Sequence, residues 1–224
     1  MQPIDVRRHF ARCPDQQLGV LRNASTGFVV DAQSRRGSLP HRIKPVGEQS
    51  AFVGRALTVR CQPWDNLAVH AAIQFLRPDD VLVIATGAFE QAAVIGEKIV
   101  GMARNQGAVA IVTDGLVRDT SGIGRVGIPV FAAGATANSC YKTGPGEIGL
   151  AVGFGGVVIE AGDVLVGDRD GVVCVARRHL DQVCENLAAI TAKESAMFDA
   201  IAAGGPKPVA MASITADLPL RYLD

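Results

Sequence analysis

Two long aliphatic runs, DDVLVIAT at residues 79–86 and AVAIVTDG at residues 108–115, constrain the fold of this chain more than any other feature. A near-continuous apolar run that follows a polar turn is typical of a strand buried on both faces, as in a sheet covered by helices. The segment between the two runs has the apolar spacing of a helix, which we place at about residues 92–105. The centre of the chain therefore predicts a strand–helix–strand unit.

Further strands and helices are predicted on both sides of this unit. Residues 51–61 (AFVGRALTVRC) have the composition of one or two strands, and a helix over residues 65–76 begins with the good N-cap residues Asp65 and Asn66. The other predicted elements are a short helical lead-in within residues 1–25, strands at residues 128–134 and 149–159, a hairpin at residues 163–176 and a helix at residues 179–203.

The order of these elements indicates an α/β fold with a mixed sheet in a layered domain. A purely doubly wound sheet does not fit, because strands and a hairpin follow the β-α-β-α-β part of the chain. The length of 224 residues fits a single domain, and residues 206–224, which show no clear periodicity, are predicted as a C-terminal tail.

Charge and cysteine content exclude several classes of protein. The 22 Lys and Arg residues balance the 22 Asp and Glu residues, and no basic stripe is present, so the electrostatic footprint of a nucleic-acid-binding protein is missing. No apolar run approaches the roughly 18 residues of a membrane span, and the N-terminal sequence has no apolar signal segment. The five cysteines are scattered and odd in number, which favours reduced thiols over disulfides or a zinc site. We therefore expect a soluble, cytoplasmic protein that binds neither nucleic acid nor membrane.

Three motifs that resemble functional sites have simpler explanations. Residues 122–127 (GIGRVG) match the GxGxxG pattern of dinucleotide-binding proteins, but a predicted strand follows them where that fold requires a helix. His70 lies within a helical pattern and is predicted to be packed or to cap the helix. The charged residues 168–170 are explained by a hairpin turn.

The strongest candidate site lies at the two ends of the central helix–strand unit. Gly96 and Glu97 form a turn that opens the helical pattern, where unpaired N–H groups and the helix dipole favour a small carboxylate. Arg118 and Asp119 follow the second aliphatic run. A guanidinium suits a carboxylate or an oxyanion, and one or two carboxylates suffice for Mg²⁺. The residue types leave two alternatives open: a site for a 2-oxo acid and a metal, or a surface ion pair between Arg118 and Asp119.

Several motifs occur in the order and spacing of a known family. They are GRALTV (54–59), WDNLAVHAAI (64–73), DDVLVI (79–84), VIGEKIVGMARNQGAVAIVTDGLVRD (94–119), IPVFAAG (128–134) and GDVLVGDRDGVVCV (162–175). On these motifs the chain resembles the 4-hydroxy-4-methyl-2-oxoglutarate aldolase group, which also contains the regulator of ribonuclease E activity (the RraA-like family). The resemblance covers roughly residues 20–205 and is most specific in the segment that ends in DGLVRD.

The resemblance implies a class II pyruvate aldolase that depends on Mg²⁺, or on Mn²⁺ or Co²⁺. It also implies a swivelling β/β/α-type fold with a C-terminal helix, assembled into a ring-shaped homotrimer or a hexamer. The substrates would be 2-oxo acids of the 4-hydroxy-4-methyl-2-oxoglutarate or 4-carboxy-4-hydroxy-2-oxoadipate type, cleaved to pyruvate and a second oxo acid. Oxaloacetate decarboxylation, which passes through the same pyruvate enolate, is an expected side activity.

The resemblance also assigns roles to individual residues. Asp119 matches the direct metal ligand, Glu97 matches an acid that contacts the metal through water, and Arg118 matches an arginine that contacts the keto oxygen of pyruvate. The backbone amides of Lys98 and Ile99 match those that receive the pyruvate carboxylate.

Two further residues and one departure complete this assignment. By the same resemblance Asn66 lines the pocket, and Glu194 corresponds to an acid that reaches the metal waters of a neighbouring subunit. Many aldolases of the group carry an acid three positions after the Asp of the Arg–Asp pair, whereas this chain has Gly122, and Lys98 occupies a position that is often apolar. The alternative is a non-enzymatic regulator of ribonuclease E type. A quinone methyltransferase is discounted because the chain has no glycine-rich nucleotide loop.

Overall fold

The structure, a computed structural model, describes residues 2–204 together with Arg221 and Leu223, so the predicted tail lies almost entirely outside the described residues. The helices are α1 (Asp15–Leu21), α2 (Thr26–Ala32), α3 (Leu67–Ala72), α4 (Glu97–Asn105), α5 (Thr120–Val126) and α6 (Leu180–Ala202). The strands are β1 (Ile4–Val6), β2 (Lys44–Pro45), β3 (Phe52–Cys61), β4 (Asp80–Ala85), β5 (Ala93–Ile95), β6 (Ala108–Thr113), β7 (Leu116–Val117), β8 (Val130–Ala132), β9 (Gly134–Ala135), β10 (Gly146–Ile148), β11 (Val152–Phe154), β12 (Val157–Ile159), β13 (Val164–Asp168) and β14 (Gly171–Val175).

The main sheet contains nine strands and is mixed, which confirms the predicted sheet type. Its central path is β1-β10-β3-β4-β6-β8-β2, in which β3, β4, β6 and β8 are parallel to one another. The long strand β3 pairs antiparallel with β13 near its start and with β10 near its end. The predicted hairpin is confirmed as β13–β14, with Asp168 opposite Gly171 at its turn.

The two aliphatic runs form β4 and β6 at the centre of this sheet, and both strands are buried on both faces as predicted. Leu82 and Ile84 pack with α3, α4 and α5 on one face, whereas Val81 and Val83 pack on the other face with Phe131 and the β11–β12 hairpin. Alternate residues of a strand point to opposite faces, so β4 contributes to two cores at once.

A third core lies where α1, α2 and α6 cover the β13–β14 hairpin. Leu18 of α1, Val29 of α2 and Leu187 of α6 pack there. The buried side chains of α6 all lie in its first half, whereas Phe198 and Ile201 near its end are 61% and 53% exposed. The predicted C-terminal helix is thus present. No helix within the described residues is both long enough and apolar enough to cross a bilayer.

A separate three-stranded parallel sheet, β5-β7-β9, carries the candidate site. Its strand β5 occupies the start of the segment predicted as a helix, so that prediction is wrong over these residues and right from Glu97 onward. All three residues of β5 are buried, and so short an apolar run fits a strand or a helix equally well. Gly96, which is extended with φ −149° and ψ −174°, separates the strand from α4.

Three other predictions need correction, and one further helix was not predicted. Residues 1–25 contain β1 as well as the helix α1, because β1 obtains backbone partners from the distant strand β10. Residues 149–159 form the β11–β12 hairpin instead of one strand, since Gly155 and Gly156 turn the chain at positive φ. Residues 128–134 divide between β8 of the main sheet and the start of β9. Most of the GIGRVG segment lies inside the helix α5, which the sequence does not predict because glycine disfavours helices.

Candidate active site

The small sheet brings three chain segments together at one edge. Ile95 of β5 pairs with Val117 of β7, which pairs with Ala135 of β9, all in parallel. The Arg118 amide then donates to the Ile95 carbonyl at 3.1 Å, and the Thr136 amide donates to the Val117 carbonyl at 2.9 Å. Ligands of α/β proteins bind outside the carboxyl ends of parallel strands, and the residues that follow β5, β7 and β9 meet at such an edge.

Asp119 lies directly against Gly96. A Cβ atom on Gly96 would be 2.5 Å from Asp119 Oδ2 and 3.1 Å from Arg118 Cγ, so a larger residue would displace this carboxylate. Asp119 has a left-handed backbone, with φ 59° and ψ 40°, and its side chain makes no capping bond although it is the N-cap residue of α5. A left-handed backbone is uncommon for a non-glycine residue, although Asp adopts it more readily than most, and such residues cluster at functional sites. The carboxylate is therefore kept free of the α5 amides.

Arg118 and Asp119 form an ion pair at the rim of a cleft. Arg118 Nε lies 3.6 Å from Asp119 Oδ2, and the two side chains are 44% and 47% exposed. The cleft has a volume of about 460 Å³ and is lined by Arg118, Asp119, Thr120, Ala135, Thr136 and Ala137. The ion pair that the sequence left open is present, and it borders an open cleft at the ends of β7 and β9.

Glu97 is the first residue of α4, and its carboxylate extends toward α5. A Cβ atom on Gly122 would be only 2.1 Å from Glu97 Oε2, which means that this carboxylate lies against the α-carbon of Gly122. On the other side, Arg125 Nη2 lies 3.6 Å from Glu97 Oε1. Glu97 of α4 therefore contacts α5, and Asp119 is the N-cap residue of that same helix.

The first turn of α4 presents the backbone amides predicted to receive a carboxylate. The Ile99 amide donates to the Gly96 carbonyl at 3.0 Å, so it already has a partner within the turn. The amides of Glu97 and Lys98 precede the first bond of the helix and are left for capping groups, water or ligands. The Lys98 side chain is exposed, and it adds positive charge to this helix terminus.

Asn66 is buried beside β5. Its side-chain Nδ2 donates to the Val94 carbonyl at 2.8 Å, while its Oδ1 is buried and has no hydrogen-bond partner among the described residues. Asn66 is the N-cap residue of α3 but does not cap it through its side chain; Asp65 Oδ1 instead accepts from the Leu67 amide at 2.8 Å. Asn66 thus holds the strand that leads to Gly96 and leaves one amide oxygen unsatisfied.

The other sequence-predicted residues lie apart from this cleft in one protomer. Glu194 borders a different surface depression, with Asp31 and Arg35 among its neighbours, so its predicted role from an adjacent subunit stays a prediction. His70 lies in the last turn of α3, where burial and the charge of Lys142 lower its pKa. This position fits the packed histidine that the sequence predicts.

A divalent metal fits this cleft only with water as most of its ligands. Asp119 lines the cleft and Glu97 lies at the start of α4; both carboxylates are about half exposed, and the missing side chain of Gly96 makes room for that of Asp119. Mg²⁺ needs one or two protein carboxylates and keeps several waters. In the described part of the chain, no group of three or more His, Cys, Asp or Glu side chains forms a complete metal site. The donor set therefore suits a hydrated ion held by Asp119.

Sequence reasoning missed two parts of the site. Thr136 and its neighbours enter the cleft from β9, but their segment carries no motif, and the pairing of β9 with β7 depends on tertiary structure. Arg125 contacts Glu97 from α5, a helix that was not predicted. A prediction of α5 would have placed Gly122 and Arg125 on neighbouring turns of one helix, because these positions are three residues apart.

The fold and cleft define an α/β protein with an Arg–Asp pair at the ends of parallel strands. The family described as Aldolase/RraA, of the RraA-like type, matches residues 26–174. The chain therefore belongs to the RraA-like family.

Individual relatives cover most of the chain. A protein of Halalkalibacterium halodurans named "Putative 4-hydroxy-4-methyl-2-oxoglutarate aldolase" is 35% identical over 164 residues, which are 73% of this chain and 78% of the relative. The solved structure of the RNA-processing inhibitor RraA from Thermus thermophilis has a TM-score of 0.64 and 29% identity, over 68% of this chain and 93% of that chain. An uncharacterized protein from Pseudomonas syringae has a TM-score of 0.78 at 23% identity, over 87% and 96% of the two chains, which is a likeness of fold alone.

Proposed function

We propose that this protein is a divalent-metal-dependent aldolase that cleaves 4-hydroxy-2-oxo acids to pyruvate and a second oxo acid. The observation that carries the proposal is the contact between Asp119 and Gly96, which brings the ion pair of Asp119 and Arg118 to the start of α4. A binding module has no need for the guanidinium of Arg118 and the carboxylate of Asp119 in a cleft beside the helix terminus that begins at Glu97. The name of the Halalkalibacterium relative supports the same reaction and points to 4-hydroxy-4-methyl-2-oxoglutarate as a substrate. The related 4-carboxy-4-hydroxy-2-oxoadipate is a second candidate.

Different residues at and beside the cleft would bind different groups of the substrate. The 1-carboxylate would lie at the first turn of α4, where the amide of Lys98 and the helix dipole favour an anion. Arg118 would donate to the 2-keto oxygen through its planar guanidinium. A divalent metal held by Asp119 would supply Lewis acidity at the same oxygen. Asn66 would support this arrangement indirectly, since it fixes the strand before Gly96.

Cleavage then requires the 4-hydroxyl group to lose its proton. The C3–C4 bond breaks, the 4-oxygen becomes the carbonyl of the second oxo acid, and the electron pair moves to the 2-keto oxygen to give pyruvate enolate. Arg118 stabilises the negative charge that develops on that oxygen, and protonation at C3 releases pyruvate. Glu97 is half exposed at the start of α4 and would relay the 4-hydroxyl proton through water. Oxaloacetate decarboxylation gives the same enolate and would be a side activity.

Assembly would complete the site. We propose a ring-shaped trimer, alone or stacked as a hexamer, in which Glu194 of one subunit approaches the cleft of the next. The second half of α6 supports this arrangement, because it lies beyond the described core and exposes Phe198 and Ile201.

A non-enzymatic regulator of ribonuclease E type is the second candidate. Gly122 supports it, because many aldolases that the chain resembles carry an acid there. The Thermus neighbour, named as an RNA-processing inhibitor, supports it as well.

A coupled assay separates these two functions. The protein is incubated with Mg²⁺ and 4-hydroxy-4-methyl-2-oxoglutarate or oxaloacetate, and pyruvate is measured with lactate dehydrogenase and NADH. Pyruvate release that EDTA abolishes, and that exceeds the Mg²⁺-only blank, supports the aldolase. If no pyruvate is released from any of these substrates, with Mg²⁺, Mn²⁺ or Co²⁺, the result contradicts the aldolase and favours the regulator.

Lys98 makes one further control necessary, because a lysine near a keto acid site can form a Schiff base. The proposed reaction needs none. Treatment with pyruvate and borohydride should therefore leave the mass of the protein unchanged, and a stable reduced adduct would contradict the metal-dependent mechanism.

A further inference from the structure

Another cavity, of about 370 Å³, lies between the segment that follows β1 and the segment that joins α3 to β4. We call it the arginine cavity. Its walls carry three arginines, a histidine and two aromatic rings, which are Arg7, Arg8, Arg77, His9, Phe10 and Phe75. The described residues that line it include no Asp or Glu, and none of them lines the cleft at the ends of β7 and β9.

The positive charge of this cavity is not neutralised by neighbouring acids. In the described part of the chain, no carboxylate oxygen lies within 4.0 Å of the side-chain nitrogens of Arg7, Arg8 or Arg77. Asp79, which is close to Arg77 in sequence, is paired instead with Arg22, at 3.2 Å. Three guanidinium groups therefore border one small volume without a counter-charge, which favours an anion there.

A buried carboxylate holds two walls of the cavity in place. Asp80 accepts from the Arg12 guanidinium on one side and from the Arg77 amide, at 2.9 Å, on the other. The Arg12 guanidinium also lies over the ring of Phe10, 5.7 Å from its centroid. Asp80 is thus fully occupied by backbone and Arg12, and it leaves the Arg77 side chain without a partner while it fixes the Arg77 backbone.

The other two arginines are also held before any ligand binds. The guanidinium carbon of Arg8 lies 5.8 Å from the centroid of the Phe75 ring, and Phe75 packs against the core that contains β3 and β4. A guanidinium stacked on a ring keeps its N–H groups available in its own plane. The Arg7 amide donates to the Ile148 carbonyl at 2.9 Å, which fixes the backbone beside β10. Such preorganisation lowers the entropic cost of binding.

We propose that the arginine cavity binds a small polyanion with about three negative charges, on carboxylate or phosphate groups, through Arg7, Arg8 and Arg77. Guanidinium groups bind both kinds of oxyanion through paired hydrogen bonds. The volume lies in the range of small-molecule sites. A nucleic acid would need positive charge along an extended groove, and the 22 basic and 22 acidic residues of the chain form no such stripe. The inference is independent of the proposed aldolase function.

Calorimetric titration of the metal-free protein tests this proposal, with citrate and inorganic pyrophosphate as probes. We expect at least one of them to bind, and the tighter one shows whether carboxylate or phosphate groups are preferred. Hydrogen bonds to charged groups typically contribute about tenfold or more to affinity, so Arg8→Ala and Arg77→Ala should each weaken binding by about that factor. Added NaCl should weaken it as well, because both arginines are exposed.

Arg169→Ala is the matched control, because it removes the same charge from an exposed position in the β13–β14 turn. It should leave the affinity for either probe unchanged. The proposal is overturned if neither probe binds, or if Arg8→Ala and Arg77→Ala bind as well as Arg169→Ala does.

Arg118→Ala separates the arginine cavity from the cleft. It should keep the wild-type affinity for citrate and pyrophosphate, whereas an affinity that is lost in Arg118→Ala and kept in Arg8→Ala would assign the anion to the cleft and contradict the proposal. A short single-stranded oligonucleotide is a further probe. If it binds while citrate and pyrophosphate do not, the ligand is a macromolecule and the small-molecule site is wrong.

Thermal melting shows that the variants are folded and gives a second measure of binding. Arg8 and Arg77 are exposed, so their alanine variants should melt close to the wild-type temperature. The tighter probe should raise the melting temperature of the wild-type protein and of Arg169→Ala, but not that of the double variant Arg8→Ala/Arg77→Ala. An equal rise in all three would contradict the proposal. If the double variant does not fold, the single variants decide.

Discussion

Asp119 holds a carboxylate oxygen against the α-carbon of Gly96, so closely that a Cβ there would be 2.5 Å from Oδ2. Gly96→Ala should therefore displace the side chains of Asp119 and Arg118 relative to the start of α4. A displacement of about 1 Å can cost about 10²-fold in rate, and we expect a loss of that order in kcat/KM. Gly101→Ala is the matched control, because a Cβ there meets no atom within 4 Å and Ala favours the helix interior. Equal activity of both variants would contradict the importance of this contact.

Arg118 should be essential for turnover but not for folding. Its ion pair with Asp119 is half exposed, so Arg118→Ala and Asp119→Ala should leave the melting temperature almost unchanged. Removal of one group that stabilises an oxyanion typically costs about 10²–10³ in kcat. Arg118→Lys should remain impaired, because an ammonium group lacks the planar fork. Steady-state kinetics together with thermal melting checks this pattern, and near-wild-type turnover in the alanine variants would place the site elsewhere.

Asp65 should stabilise the loop after β9 in a pH-dependent way. Burial by itself raises the pKa of this carboxyl, but hydrogen bonds from Thr143 and Leu67 outweigh burial, and the net pKa is lowered. A lowered pKa contributes stability above the unfolded-state pKa of about 3.9, and this stability is lost as the pH falls through the folded-state value. Asp65→Asn should cost about 1–3 kcal/mol at pH 7 and progressively less below about pH 4. Urea unfolding at several pH values tests this, with Asp170→Asn in the exposed turn as control.

Arg12 should be needed to keep Asp80 buried. Asp80 has a fully buried side chain that accepts from the Arg12 guanidinium and from the Arg77 amide, and burial raises its pKa despite these partners. Removing one partner of a buried charge typically costs about 3–5 kcal/mol, which we expect for Arg12→Ala at pH 7. Because the pKa is raised, the neutral acid is the better tolerated form, so the cost should shrink as the pH falls toward 4. An Arg12→Ala loss below about 1 kcal/mol would contradict this account.

The sequence predicts the parts of this fold whose signals are local. The aliphatic runs identify β4 and β6 because both strands are buried on both faces, and the turn residues at Asp168–Gly171 identify the β13–β14 hairpin. The sequence pattern predicts a helix where β5 lies, because three buried apolar residues are too few to show a strand or helix periodicity. Strands β7 and β9 have only two residues each, and β5, β7 and β9 exist by pairing with one another.

The candidate site likewise combines residues that local sequence predicts with features that depend on tertiary packing. Glu97, Arg118 and Asp119 are recognisable from residue type and motif, whereas the left-handed conformation of Asp119 and the contact of Glu97 with Gly122 depend on how α4 meets α5. The role of Asn66 at the pocket stays a prediction, and the bond from its side-chain amide to the backbone of β5 is a contact that the sequence does not reveal. These features come from packing between segments that are distant in sequence, and no local pattern encodes them.

Calorimetric titration of the protein with oxalate, an analogue of pyruvate enolate, tests the central claim most directly. We expect oxalate to bind the wild-type protein in the presence of Mg²⁺ and to bind far more weakly after EDTA treatment or in Asp119→Asn. Equal oxalate affinity in all three samples, or no binding in any of them, would contradict a metal-assisted 2-oxo acid site at Asp119 and Arg118.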